Sequence, residues 1–387
     1  MTCSQTRRPS HGKKGPSDLA PTRSATTPLV APGRNVVVSP AGARIIHRPW
    51  TQRGGRLPKK SIPALTGRVV RCILFDLGDT LWSRRDMAVW NQSETAANQR
   101  AATIVCEHVD PRFLPTTDKA VLGKQLRSAI DEQVRSMIRQ DPETEPDGSF
   151  AVTQALLQLG IKDVDSAVVA AIFEALRVRI PESRPLFDDV LSTLAALQQR
   201  GFLLGVVTNR IWAGRPFQED LEALGLLNYF DPRNIAVSGD LGIRKPNAAI
   251  FLHVLNALNV VPEHAVMVGD SLRSDIVGAK MLGIFSIWKP KPRLRAEMQA
   301  RLVTPGASAH VHESYQAQFS AESLSVYGER SPDLLPGMHI TDDDYVLAYV
   351  QSRHGKWDQH MQGKIQPDLI IENLSDLLDI LPKVGAQ

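Results

Sequence analysis

The stretch Arg71-Cys72-Ile73-Leu74-Phe75-Asp76-Leu77-Gly78-Asp79-Thr80-Leu81 constrains the rest of the chain more than any other. An apolar run stops at a carboxylate and gives way to a Gly-Asp turn. The run shows no polar alternation, so it reads as a strand buried on both faces, which belongs inside a parallel sheet. Ligands of open α/β sheets bind beyond the carboxyl ends of such strands. Asp76 is therefore a candidate nucleophile, with the Thr80 hydroxyl four residues on placed to hold the shape of its loop. An Asp that only caps the next turn is the plainer alternative at this point.

Three later stretches repeat the pattern. Leu203-Leu204-Gly205-Val206-Val207-Thr208-Asn209 is an apolar strand closing on a hydroxyl and an amide. Gly242-Ile243-Arg244-Lys245-Pro246-Asn247 is a loop with a lysine just before a proline, and Arg244 beside it reads as solvated. Val266-Met267-Val268-Gly269-Asp270-Ser271 is a strand ending in Gly-Asp, with Asp275 five residues beyond Asp270. Between them the period switches to that of amphipathic helices, predicted over 188–199, 217–224, 248–258 and 274–282. Strands are predicted over 69–77, 203–208, 235–239, 265–269 and 284–288, with a last strand over 368–374 and a closing helix over 375–381. Such alternation implies an α/β fold, a parallel sheet with helices on both faces. Residues 83–185 read as helical throughout, with apolar stripes such as Trp90, Ala97, Ala101, Ile104 and Val105 that are core packing.

In order, these stretches supply a carboxylate, a hydroxyl, a lysine and an acidic pair. On those residues the chain resembles the haloacid dehalogenase-like hydrolase superfamily, whose four motifs occur in this sequence. The resemblance implies a Rossmann-like core built from 67–82, 186–290 and 366–387, and an inserted all-helical cap over 83–185. It also implies a magnesium-dependent phosphatase acting on a small phosphomonoester through an aspartyl-phosphate on Asp76. Thr208, Asn209 and Lys245 would bind the phosphate, with Thr208 and Lys245 sharing the catalytic work. Mg2+ would lie on Asp76, Asp270, Asp275 and the Gly78 carbonyl, an all-oxygen set suited to that ion.

One position departs from the family pattern. Phosphatases of the superfamily carry a second Asp two residues after the nucleophile as general acid and base; here Gly78 stands there and an Asp follows at 79. The metal contact from that position is a backbone carbonyl and survives, whereas the proton transfer, worth roughly 10²–10⁴ in rate, does not. Same-fold cleavage of carbon–phosphorus or carbon–halogen bonds, and a binding or regulatory protein with impaired turnover, therefore stay open as alternatives.

Charge is unevenly distributed. The net charge of +4 conceals 13 Lys or Arg against one acid, Asp18, in residues 1–70, so the rest of the chain is net acidic. Residues 1–66, rich in Pro, Ser, Gly and Arg, read as a disordered basic tail. A transit-peptide-like segment and an electrostatic contact with nucleic acid are its other readings, and without interleaved aromatics nucleic acid is not the expected partner. No apolar run is long enough for a membrane helix. Cys3, Cys72 and Cys106 are too widely spaced for a metal motif, which fits a reducing, cytoplasmic setting. Residues 291–365 read as an insertion of unassigned role, with a helix over 293–302 and another begun by Thr341 and Asp344.

Overall fold

The computed structural model describes residues 67–83, 86–292 and 366–381, together with Leu65, Leu294, Lys383 and Val384. The expected tail over 1–66, and the helices expected within 291–365, lie outside the described residues apart from those positions.

Six parallel strands form one sheet: β1 (Cys72–Phe75), β2 (Leu203–Thr208), β3 (Ile235–Val237), β4 (Ala265–Gly269), β5 (Phe285–Trp288) and β6 (Leu369–Ile370). Their spatial order is β3-β2-β1-β4-β5-β6. β1 sits between β2 and β4, with Phe75 opposite both Val206 and Val268. Alternate residues of its unbroken apolar run enter different cores. Ile73 and Phe75 pack with Leu204, Val206, Val266 and Val268 under α6 (Val190–Gln199), α7 (Gly214–Ala223) and the closing helix α11 (Leu377–Ile380). Cys72 and Leu74 pack with Val207 and Met267 under α9 (Ala248–Leu258) and α10 (Val277–Met281). Burial of both faces is why β1 carries no polar alternation. Gly205 permits the second layer to close, since a Cβ there would lie 2.5 Å from Val254 Cγ1 on α9.

Between β1 and β2 stand α1 (Met87–His108), α2 (Lys119–Gln140), α3 (Gly148–Gln158), α4 (Ser166–Ala175) and the single turn α5 (Ile180–Ser183). Asp86, Asp118, Asp147 and Asp165 cap the first four, each carboxylate accepting from backbone N–H groups of the first turn. These helices enclose a separate core running from Ala101 to Leu176. Polar ties fasten the insert to the sheet domain. Arg177 Nη1 lies 2.8 Å from Asp220 on α7, Trp212 Nε1 donates to the Phe173 carbonyl at 3.1 Å, and the Glu145 N–H donates to the Gly242 carbonyl at 3.0 Å.

Several element ends differ from the sequence reading. The expected third strand over 235–239 stops at Val237, because Ser238 turns into a short helix, α8 (Ser238–Leu241), and its hydroxyl accepts from the Arg210 N–H at 2.7 Å. The helix expected over 274–282 is a π-helical turn, Leu272–Ile276, followed by α10, so the chain is widened where Asp275 turns inward. The last strand is two residues long rather than seven. The Asp368 carboxylate binds the N–H and hydroxyl of Ser286 before it, and a 3₁₀ turn at Leu374–Asp376 follows it.

Candidate active site

The chain passes from β1 outward to β2 and β3, then returns to β4 on the other side of β1. That reversal opens a crevice at the carboxyl ends of β1 and β4, the general ligand position of open α/β sheets. Asp76 follows β1 and Asp270 follows β4, so the two carboxylates flank it. A cavity of about 230 Å³ lies there, lined by Asp76, Gly78, Asp79, Thr208, Lys245, Asp270 and Asp275 among others.

Lys245 is the centre of the polar network. Its Nζ lies 2.7 Å from Asp76 Oδ1 and 2.6 Å from Asp275 Oδ1, and donates to the Val207 carbonyl at 2.6 Å. The residue is 3% exposed, as befits an ammonium whose donors are all engaged. Burial lowers its pKa, but the charges of Asp275 and Asp76 outweigh that and hold it above the ordinary lysine value. Asn209 fixes the backbone beneath it: Nδ2 donates to the Lys245 carbonyl at 3.0 Å, and Oδ1 accepts from the Lys245 N–H at 2.8 Å. The Lys245–Pro246 peptide is cis. The sequence assigned Asn209 to a ligand; here each of its amide atoms is engaged by the lysine loop. Thr208 is 5% exposed and lines the cavity. Thr80 Oγ1 lies 3.4 Å from Asp76 Oδ2.

Asp275 takes its place through a glycine. A Cβ on Gly269 would lie 2.3 Å from the Asp275 carboxyl carbon, so only glycine lets that carboxylate reach the strand end. The Ser271 N–H donates to Asp275 Oδ2 at 2.9 Å. Burial raises the Asp275 carboxyl to about 6, against the lowering charge of Lys245. Burial likewise pushes Asp270 up to about 7, with Lys291 acting against it and Asp76, Asp275 and Asp79 adding to it. Burial is the main reason these carboxylates resist ionising; close acidic neighbours add to it, and Lys291 and Lys245 act against both.

Oxygen atoms of Asp76, Asp270 and Asp275 lie within 4.8 Å of one another. The set is buried, all-oxygen and anionic, which fits a hard divalent cation such as Mg2+.

Two residues differ from the sequence reading. Lys291, within the segment to which no role was assigned, reaches into the cavity, with Nζ 2.7 Å from Asp79 Oδ2 and 3.0 Å from Asp270 Oδ2. Asp79 adopts φ 55°, a left-handed conformation that Asp tolerates better than most residues. Arg244, expected to be solvated, is largely buried against Glu145 of the helical insert, which is itself 9% exposed.

Residues 70–283 match the model of the haloacid dehalogenase-like hydrolases, and the chain belongs to that family. Among curated relatives, a glyceraldehyde 3-phosphate phosphatase of Methanopyrus kandleri is 26% identical over 219 residues, 57% of this chain and 83% of that protein. A phosphoserine phosphatase of Thermus thermophilus is 35% identical over 104 residues, 27% of this chain and 40% of its own length. A phosphoglycolate phosphatase of Colwellia psychrerythraea is 38% identical over 103 residues, 26% of this chain and 43% of its own. The chain thus spans less than half of these last two relatives. Among solved structures, a phosphatase of the family from Thermococcus onnurineus aligns at TM-score 0.40 and 24% identity, covering 58% of this chain and 87% of that one. Among the described residues no helix is long and apolar enough to cross a membrane.

Proposed function

We propose that this chain is a magnesium-dependent phosphatase that hydrolyses a small phosphomonoester through an aspartyl-phosphate on Asp76. The observation that carries the reading is the convergence of three buried carboxylates, Asp76, Asp270 and Asp275, on Lys245 and Thr208 at one end of the sheet. The names of the relatives, all phosphomonoester phosphatases, point the same way.

Asp76 Oδ2 is the attacking atom, because Oδ1 is held by Lys245 and, among the described residues, Oδ2 has only the long contact from Thr80. Its attack on phosphorus expels the ester oxygen, which takes a proton from solvent to leave as the alcohol; water then cleaves the acyl phosphate and returns a proton to solvent, restoring the carboxylate and releasing inorganic phosphate. Lys245 neutralises the nucleophile and the transferring group, and the Thr208 hydroxyl hydrogen-bonds a phosphoryl oxygen. Asp76, Asp270, Asp275 and the Gly78 carbonyl would hold Mg2+. Bound there, the ion supplies charge neutralisation on the phosphoryl oxygens and brings the nucleophile and the phosphate together.

Asn209 positions Lys245 rather than touching substrate. Gly78 provides no acid. Lys291 adds a fixed cation near that position; burial lowers its pKa, but Asp270 and Asp79 raise it further, so it stabilises charge on the leaving oxygen rather than giving up a proton. The helical insert, tied to the lysine loop through Glu145, acts as the cap that excludes water. A cytoplasmic setting suits the free thiols Cys72 and Cys106.

The test is a screen of phosphorylated metabolites, a phosphonoaldehyde and a 2-haloacid, each with and without EDTA, for the wild-type protein and Asp76→Asn. Phosphate release that needs magnesium and disappears in Asp76→Asn supports the reading. Hydrolysis that persists in Asp76→Asn, or halide release insensitive to EDTA, overturns it.

A further inference from the structure

The cavity is lined by a cation that the phosphoryl chemistry does not employ. Arg210 stands two residues after Thr208, in the turn that leaves β2, and contributes to the wall of the same cavity. Among the described residues it has no carboxylate partner. Its Nε is buried and meets no hydrogen-bond acceptor. The guanidinium lies over the Phe217 ring, 4.7 Å from its centroid, which holds the group in place without neutralising it.

Asp220, the carboxylate whose charge acts on it, does not bind it. Asp220 is fully buried, and Arg177 Nη1 at 2.8 Å, Arg179 Nε at 3.3 Å and the Ile180 N–H at 3.3 Å already occupy its oxygens. Arg177 and Arg179 thus share this one carboxylate, with Arg179 also reaching Glu182 at 3.5 Å on the exposed side. Burial lowers the Arg210 pKa to about 10, Asp220 acting against it and Arg177 with it, so the group remains charged at neutral pH. Arg210 as a whole is half-buried, but a charged guanidinium with its Nε donor buried and unpaired is costly unless an acceptor completes it.

The other cations lining the cavity are engaged elsewhere. Lys245 is shared between Asp76 and Asp275, Lys291 between Asp79 and Asp270, and Arg184 lies over the Trp90 ring, 4.7 Å from its centroid. Arg210 is therefore the donor available to a bound molecule, one short step from the phosphate position at Thr208. Thr208 and Arg210 line one cavity of about 230 Å³, so an anion reaching Arg210 would belong to a substrate little longer than the phosphate itself.

We propose that Arg210 forms a subsite for a second anionic group of the substrate, so that the preferred phosphomonoester also carries a carboxylate or a second phosphate close to the ester. The guanidinium would take that group in a charge-assisted, fork-shaped pair of hydrogen bonds. This rests on the phosphatase reading above, which the experiment tests separately.

The experiment measures kcat/KM for a two-carbon phosphate ester ending in a carboxylate, for one ending in a second phosphate, and for ethyl phosphate. The wild-type protein should favour one doubly anionic ester over ethyl phosphate by about 10- to 100-fold, the size of one charge-assisted hydrogen bond. Whichever of the two leads identifies the anion. In Arg210→Gln the preference should fall to within about threefold, and Arg210→Lys should recover part of it. A purely structural arginine would instead lower all three rates together and leave their ratio intact, which overturns the proposal.

Binding of 3-phosphonopropionate and propylphosphonate, read by calorimetry with magnesium, reports the subsite without turnover. A gap between the two in the wild-type protein, closed in Arg210→Gln, supports the subsite even if no ester is hydrolysed, in which case only the phosphatase reading fails. No gap in the wild-type protein together with no preference for either doubly anionic ester, or a gap that survives Arg210→Gln, rules the subsite out.

Discussion

Gly269→Ala is the smallest change that should dismantle the proposed metal centre. The added methyl would lie 2.3 Å from Cγ and Oδ2 of Asp275 and 2.5 Å from its Cβ. Carbon atoms pack at roughly 3.5–4.0 Å, so one partner must move by about 1 Å or more. Asp275 has little freedom to do so. It is 0% exposed, and its carboxylate is pinned by Lys245 at 2.6 Å and by the Ser271 N–H at 2.9 Å. Because its Cβ is also encroached upon, rotating the carboxylate does not relieve the overlap. Overpacking of this kind costs about 1–3 kcal/mol, which for a domain of this size lowers Tm by roughly 2–10 °C. Displacing a carboxylate that would hold the ion should weaken Mg2+ binding by at least the 10- to 100-fold typical of lost supporting contacts. Calorimetric titration with Mg2+ and a thermal melt of the same sample read the two effects. Gly78→Ala is the control, since a Cβ there meets nothing within 4 Å and should change Tm little. Wild-type Mg2+ affinity in Gly269→Ala, with an unchanged melt, would refute both the packing argument and the place of Asp275 in the centre.

The space at Gly78 leads to a second expectation. Gly78→Asp should raise turnover of an alkyl phosphate, by up to about 10²-fold, more than that of p-nitrophenyl phosphate, whose leaving oxygen needs no proton; equal effects on the two would show that the chain already has its acid. A third concerns the sheet edge. Asp368 binds Lys280 Nζ at 2.8 Å and both the N–H and hydroxyl of Ser286 at 2.8 Å. Burial raises its pKa, but these hydrogen bonds outweigh that and hold it below the ordinary carboxylate value. A depressed folded-state pKa contributes stability that is fully present above the unfolded value, near 3.9, and is lost as pH falls through the folded value. Asp368→Asn should therefore be less stable than the wild-type protein by about 1 kcal/mol at neutral pH, a figure reduced for partial exposure, and the gap should shrink below about pH 4. Urea denaturation across pH checks this, and a gap that widens in acid would contradict it.

The sequence and the structure part where a residue's role depends on a partner far along the chain. Asp76, Thr208 and Asp270 were legible because each ends a local pattern, an apolar run closing on a polar residue, and parallel pairing brings such ends to one rim without further information. The caps Asp86, Asp118, Asp147 and Asp165 likewise act within a few residues of their own helices. Lys291 carries no such signal. It sits in a Lys-Pro-Lys-Pro run that reads as a break, and its tie to Asp79 joins residues 212 apart. Arg244 reads as a loop cation for the same reason, because Glu145 is 99 residues away on an insert with its own core. Asp275 belongs between these cases. Its spacing from Asp270 was visible, but the widened π turn that aims it inward, and the absent Cβ on Gly269 that makes room, are consequences of packing. The network at the rim therefore has two origins. Strand ends place Asp76 and Asp270, and distant loops bring Lys245 and Lys291 that make so many buried carboxylates tolerable together. Arg210 has no carboxylate pair among the described residues and a buried, unpaired Nε, and a second substrate anion is the group whose charge would complete it.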